Sequence, residues 1–326
     1  MTYRAPHTIP PKATFPEPLA DPSDPRLKHR LQPWDGGAAD VVLVGMPFDH
    51  GVVLNQGRPG AAGGPMAFRQ AVMRLGTTYD GEHQVDFDHL RLADAGDVQV
   101  VPEGLSASHE RLTAVVESVL AQRAIPVVIG GGHDATFATV RALQSRWPSC
   151  GGINVDAHLD MRPVEDGRIG SGTPDRRILE ELSMPGESLV EFGLQGYANS
   201  REHLEYAVQQ GVGCHFAGQL AEDGWRATWE QELLRLAERC EALFVSIDLD
   251  VFPAAFAPGV SAPGVAGPSP ETVRAMAFMA GCNPKVQLFE LMELNPKFDI
   301  DERTARLAVV LLAAFLAGVA ARTGAQ

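Results

Sequence analysis

The chain has 326 residues, 45% of them hydrophobic and 7% aromatic, enough for one large or two ordinary domains around a substantial core and too apolar for a disordered chain. A formal net charge of −14 and a pI near 5.1 exclude the basic face that a nucleic acid or an anionic membrane would need, which leaves small molecules as the expected partners. Four cysteines, Cys150, Cys214, Cys240 and Cys282, lie far apart without CxxC spacing, so no disulfide framework or zinc knuckle is expected and a reducing compartment fits.

In chain order, residues 1–35 form a proline-rich arm with no charged start followed by an apolar run; this excludes an ordinary secretory signal and places the protein in the cytoplasm. Residues 36–326 show no linker, composition shift or repeat and read as a single catalytic domain. Short β-branched runs beginning at Asp40, Ile125, Gly152, Ser188, Ala242 and Lys285 predict strands buried on both faces. Longer patterns predict helices over Ser106–Arg123, Ala135–Arg146, Thr173–Leu182, Ser200–Gln210, Gly224–Cys240, Pro270–Gly281 and Glu302–Ala321. Such alternation implies an α/β fold of three layers, α-β-α, with a mainly parallel central sheet. The apolar run Leu307–Ala320 is too short for a typical membrane span and reads as a buried last helix.

Functional groups of such sheets gather beyond the carboxyl ends of the strands, and three motifs fall there. "GGGHD" puts His133 and Asp134 after one strand, "DAHLD" puts Asp156, His158 and Asp160 after the next, and "SIDLD" puts Asp248 and Asp250 at the end of a third. If these stretches stay extended, residues two apart share a face, so Asp156, His158 and Asp160 converge, as do Asp248 and Asp250. A single His after glycines, or a single D-x-D, is more often a cap or a solvated turn. Together the three leave buried charges that need pairing or cations. Four carboxylates and two imidazoles are too many ligands for one tetrahedral zinc and too rich in oxygen for a soft metal, so two octahedral ions such as Mn2+ are expected, with His133, Asp156, His158, Asp160, Asp248 and Asp250 as ligands. Such a pair makes hydroxide available near neutral pH, as a hydrolase requires.

"GGGHD", "DAHLD", "SIDLDVF" and "MELNP", in this order from Val41 onward, resemble the ureohydrolase superfamily of arginases and agmatinases. The resemblance implies the arginase-like fold, two Mn2+ per subunit on the six residues above, and a homo-oligomer, often a trimer or hexamer. It also implies that Glu293 contacts the planar cation being cleaved, with Glu290 as a second candidate. Where arginase and agmatinase carry a shuttle histidine, this chain has Ser171 in "GSGTP". "SGTP", "DMR", "GLQGYANS" and "FPAAFAPGVSAP" are similar instead to formimidoylglutamases, enzymes of histidine degradation that convert N-formimidoyl-L-glutamate and water to L-glutamate and formamide. Asp175 stands where those enzymes commonly have Phe, which predicts a different pocket edge.

A substrate with an amidinium at one end and two carboxylates at the other needs a pocket of both signs. Glu293 is expected at the cation, and Arg162 and Arg58 at the carboxylates. Ser171 and Asn199 of "GYANS" are further candidate substrate contacts; Ser200 is a candidate helix cap, His50 a helix-cap or surface residue before it is one lining the mouth, and Asp134 either a partner that orients a ligating histidine or an aid to folding. The expected reaction is attack of a metal-bridging hydroxide on the amidine carbon, with Glu293 and Asp160 as catalytic residues and Asp160 relaying a proton to the departing nitrogen. The alternatives are an agmatinase or guanidinobutyrase releasing urea, a metal-bound subunit without turnover, and a metallophosphoesterase, which the lack of a Lys/Arg cluster at the motifs disfavours.

Overall fold

The computed structural model describes residues 5–11, 23–102 and 104–323. Its main sheet has ten strands, two of them the two-residue pieces Thr8–Ile9 and Gln32–Pro33, which both pair with one edge strand. The others are β1 (Val41–Met46), β2 (Leu92–Val98), β3 (Ile125–Gly130), β4 (Cys150–Val155), β5 (Leu189–Leu194), β6 (Gly213–Phe216), β7 (Ala242–Asp248) and β8 (Val286–Met292). They lie in the order β2-β1-β3-β8-β7-β4-β5-β6, and all these neighbours are parallel. The expected mainly parallel sheet is therefore present.

Helices cover both faces. On one side α1 (Gly64–Val72), α6 (Trp225–Arg239), α7 (Pro270–Cys282) and α8 (Arg303–Thr323) pack through Phe68, Trp229, Val273 and Phe315. On the other, α2 (Leu105–Ala121), α3 (Thr136–Arg146), α4 (Pro174–Glu181) and α5 (Arg201–Gln210) pack through Leu112, Phe137, Ile178 and Ala207. Alternate strand residues feed the two cores, Val41 and Leu43 one of them and Val42 and Val44 the other, which is why these runs are apolar throughout. The last helix is apolar enough to cross a membrane, but 78% of that stretch is buried here and Phe315 stacks on Phe289 of β8 at 4.2 Å. It crosses α7 at two glycines: a Cβ on Gly318 would fall 2.2 Å from the Phe278 carbonyl oxygen, and one on Gly281 the same distance from that of Phe315.

Strand β2, "LADAGDV", has no place among the expected strands because its two aspartates and glycine mask the pattern. Arg69 of α1 is what lets them lie there. It binds Asp94 through Nε (2.7 Å) and Nη2 (2.9 Å) and Asp97 through Nη1 (2.5 Å), with Arg69 and Asp94 almost wholly buried. Arg69→Leu strands the Asp94 charge, and a loss of about 3 kcal/mol is expected in urea unfolding. The chain on either side of the edge joins the body as well, with Leu27, Leu31 and Trp34 buried.

Candidate metal centre

Four neighbouring strands, β3, β8, β7 and β4, end side by side, and each delivers polar residues just past its carboxyl end. Past β3, Gly131 donates its N–H to Met46 O (3.0 Å) and lies so close to the turn after β1 that a Cβ would stand 1.9 Å from Phe48 O. Only glycine fits there. The next turn aims the imidazole of His133 across the sheet end.

The two D-x-D segments do not stay extended as expected. After β4 the chain bends at Ala157 and His158, with Asp156 Oδ1 accepting the His158 N–H at 2.7 Å. After β7 it enters a 3-10 turn, with Asp248 Oδ1 accepting the Asp250 N–H at 2.7 Å. In both, one oxygen of the first Asp locks a side-chain-mediated turn while Oδ2 reaches the centre. Asp160 (φ 48°) and Glu293 (φ 63°) both hold a left-handed backbone, a strain that residues at functional sites commonly store.

His133 Nδ1 stands 3.0 Å from Asp156 Oδ2, 3.1 Å from Asp160 Oδ2 and 3.2 Å from Asp248 Oδ2. His158 Nδ1 stands 3.3 Å from Asp156 Oδ1 and 3.2 Å from Asp250 Oδ2. Asp156 therefore offers one oxygen to each imidazole, and His133–Asp156–Asp160 and Asp156–His158–Asp250 form two ligand triads sharing it. His133 Nδ1, Asp156 Oδ2 and Asp250 Oδ1 are buried, yet none makes a hydrogen bond of proper geometry. Close polar atoms pointing past one another around a common point fit a pair of oxygen-preferring divalent ions.

The electrostatics agree. Burial and the neighbouring Asp156 charge push Asp160 up to about 6, and burial and the Asp248 charge raise Asp250 well above the usual carboxylate range. Asp156 is held low by His133 and His158 against its burial, while the carboxylates, led by Asp250, raise His158. Such crowded carboxylates keep protons that bound cations would displace.

Outer contacts brace these groups. His133 Nε2 meets Ser246 Oγ at 3.1 Å, and Asp134 Oδ2 meets His109 Nε2 at 2.7 Å, so Asp134 pairs with a buried histidine and not with a ligand of the centre. Glu293 Oε1 accepts the His133 N–H at 2.8 Å, and its Oε2 accepts a short bond from Ser261 Oγ. Both oxygens are thus oriented, although burial followed by the Asp248 charge raises its pKa well above the usual range.

The centre forms the floor of a cavity of about 660 Å³, to which Asn55, Arg58, Arg162, Ser171, Asn199, Glu293 and His203 contribute. Arg162 is exposed, and its guanidinium has no hydrogen bond or ion pair among the described residues. The Arg58 fork is not free as expected: Nη2 donates to Pro258 O (3.0 Å) and Val260 O (2.5 Å), and the guanidinium lies over Phe298 at 4.1 Å. These carbonyls of the loop after β7 take Nη2 alone, and Nε is buried with no hydrogen-bond partner among the described residues. Ser171 Oγ is met by Asn55 Nδ2 at 3.2 Å.

Asn199 faces the metal loop. Its Nδ2 donates to Ala157 O and Gln195 O (2.9 Å each), and its Oδ1 accepts from Leu159 N (2.8 Å), so its amide is spent on holding "DAHLD" in place. Asn199→Ala is expected to cost about 1–2 kcal/mol and weaken Mn2+ retention, measured by unfolding and by metal content after dialysis. Ser200 caps α5, accepting from His203 N at 3.2 Å.

Two other expectations are corrected, and the less favoured reading of His50 is not met. Glu290 is wholly buried beside Thr139, Thr136 and Ser246 and does not reach the cavity. Asp175 is no pocket edge: it is wholly buried, accepting from Asn154 Nδ2 at 3.0 Å while the same amide donates to Glu191 at 3.1 Å. His50 stacks on Phe48 at a centroid distance of 6.0 Å and does not line the cavity. Ser261, Asn55 and His203 escaped the sequence reading, although Ser261 lies inside "FPAAFAPGVSAP" and Asn55 stands shortly before Arg58.

A doubly wound parallel sheet with paired His/Asp triads at the ends of its central strands defines a three-layer α/β protein built around a two-cation centre. The arginase family model matches residues 39–318, and the chain belongs to that family. It is 30% identical over 304 residues to the formimidoylglutamase of Halalkalibacterium halodurans, covering 92% of this chain and 94% of that protein. It is also 30% identical over 313 residues to the human mitochondrial guanidino acid hydrolase, covering 94% of this chain and 86% of that one. The crystal structure of Trypanosoma cruzi formiminoglutamase with Mn2+ superposes with a TM-score of 0.86 at 39% identity, covering 92% of this chain and 99% of the other.

Proposed function

We propose that the protein hydrolyses N-formimidoyl-L-glutamate to L-glutamate and formamide, with two Mn2+ ions that would be held by His133, Asp156, His158, Asp160, Asp248 and Asp250. The observation that carries this reading is a cavity of two signs, with carboxylates and Glu293 at its floor and the unpaired Arg162 on its wall. The formimidoylglutamases among its relatives support the same substrate.

The ions would supply Lewis acidity and lower the pKa of water to near neutrality. The chain supplies the rest. Glu293, held by His133 N and Ser261, binds the amidinium and fixes the carbon to be attacked. Asp160 takes the proton of the attacking water and passes it to the nitrogen of glutamate as the carbon–nitrogen bond breaks. Arg162 holds a substrate carboxylate. A cytoplasmic homo-oligomer belongs to the same reading, in keeping with the acidic charge and four free cysteines.

The test offers Mn2+-loaded protein N-formimidoyl-L-glutamate, agmatine, 4-guanidinobutyrate and arginine in parallel. Turnover of the first alone is expected. Urea from a guanidino compound, with no reaction of the first, would replace this reading with that of a guanidino hydrolase.

A further inference from the structure

Five side chains that can carry positive charge line the cavity among the described residues: Arg58, His133, His158, Arg162 and His203. His133 and His158 belong to the centre, and Arg58 is bound to backbone carbonyls and stacked on Phe298. Arg162 and His203 remain, yet the substrate proposed above carries two carboxylates.

His203 lies in the first turn of α5, a ten-residue helix whose Ser200 cap accepts the His203 N–H and also lines the cavity. The positive end of the helix and the imidazole thus face the same space. Arg162 lines the same space from the segment after the metal loop, where its backbone N–H is tied to Gly172 O at 2.9 Å. Burial and then the Arg162 charge lower the pKa of His203, against a smaller rise from Glu202, and Arg176 adds to the lowering. Arg176 is already held by Glu180 at 2.9 Å and stacked on Tyr206. An imidazole whose protonation is disfavoured by a neighbouring guanidinium takes up its proton more readily when an anion binds between the two.

We propose that His203 and Arg162 together form the carboxylate-binding end of the cavity, and that His203 is the specificity-determining residue that favours substrates with two carboxylates over those with one. This rests on the amidine-hydrolase reading above. One carboxylate takes the Arg162 fork and the second takes the imidazolium and the helix end, so a substrate lacking its α-carboxylate gains nothing from His203.

The experiment compares wild type, His203→Gln and His203→Arg, each with its Mn2+ content measured, on N-formimidoyl-L-glutamate and on 4-formimidoylaminobutyrate. His203→Gln is expected to raise KM for the first about tenfold with kcat within about twofold, and to leave the second within about twofold, as loss of one charge-assisted contact implies. His203→Arg should restore the discrimination. Equal change on both substrates, or on neither, would overturn the proposal. Calorimetric titration with L-glutamate separates this inference from the functional reading. Binding about tenfold weaker in His203→Gln supports the subsite even if wild type releases no formamide. Unchanged glutamate binding overturns the subsite while formamide release still stands.

Discussion

Asp156→Ala is expected to abolish turnover, by about a thousandfold or more, and to leave the purified chain without either of its metal ions. Asp156 is the residue common to both triads, with Oδ2 at 3.0 Å from His133 Nδ1 and Oδ1 at 3.3 Å from His158 Nδ1. Oδ1 also accepts the N–H of His158, so the substitution releases the turn that aims that imidazole. Losing any other carboxylate disturbs fewer of these contacts. Strand β4 is wholly buried and ends at Val155, before Asp156, so circular dichroism should match wild type. Metal content by atomic emission and formamide release are the two readouts; two retained ions with near-normal turnover would remove Asp156 from the centre.

Glu293→Gln should act differently, lowering kcat/KM about a hundredfold to a thousandfold while both ions stay bound. The glutamine keeps the size of the side chain, and its oxygen can still accept one of the two bonds now made by His133 N and Ser261 Oγ. It loses the negative charge proposed above to meet the amidinium, on a side chain only 3% exposed. Removing one partner of a buried ion pair leaves the other uncompensated, which is the source of the large effect. Retained metal with unchanged kinetics would show that Glu293 does not meet the substrate.

The central strands were legible because both their faces are buried, so β1, β3, β4, β5, β7 and β8 show as plain apolar runs. Strand β2 was not, since Asp94 and Asp97 are tolerable there only through Arg69, which is distant in sequence. The six residues now grouped around the centre stand in motifs at strand ends, where position alone suggests function. The sequence reading brought them together by the wrong local geometry, since it kept "DAHLD" extended and could not foresee the Asp156 turn or the left-handed Asp160.

Substrate contacts were less legible because the partners that occupy a side chain are set by tertiary structure. Arg58 and Asn199 were candidate substrate contacts, yet carbonyls take Arg58 Nη2 and both protons of the Asn199 amide. His203 stands in no motif, and only the fold carries it to the cavity that Arg162 also lines.

The measurement that tests the account most directly is an NMR spectrum of the products formed from N-formimidoyl-L-glutamate by the Mn2+-loaded protein. Formamide and L-glutamate in equal amounts, absent from the chelated protein, are the predicted result. N-formyl-L-glutamate with ammonia, or unreacted substrate from protein that retains both ions, would contradict it.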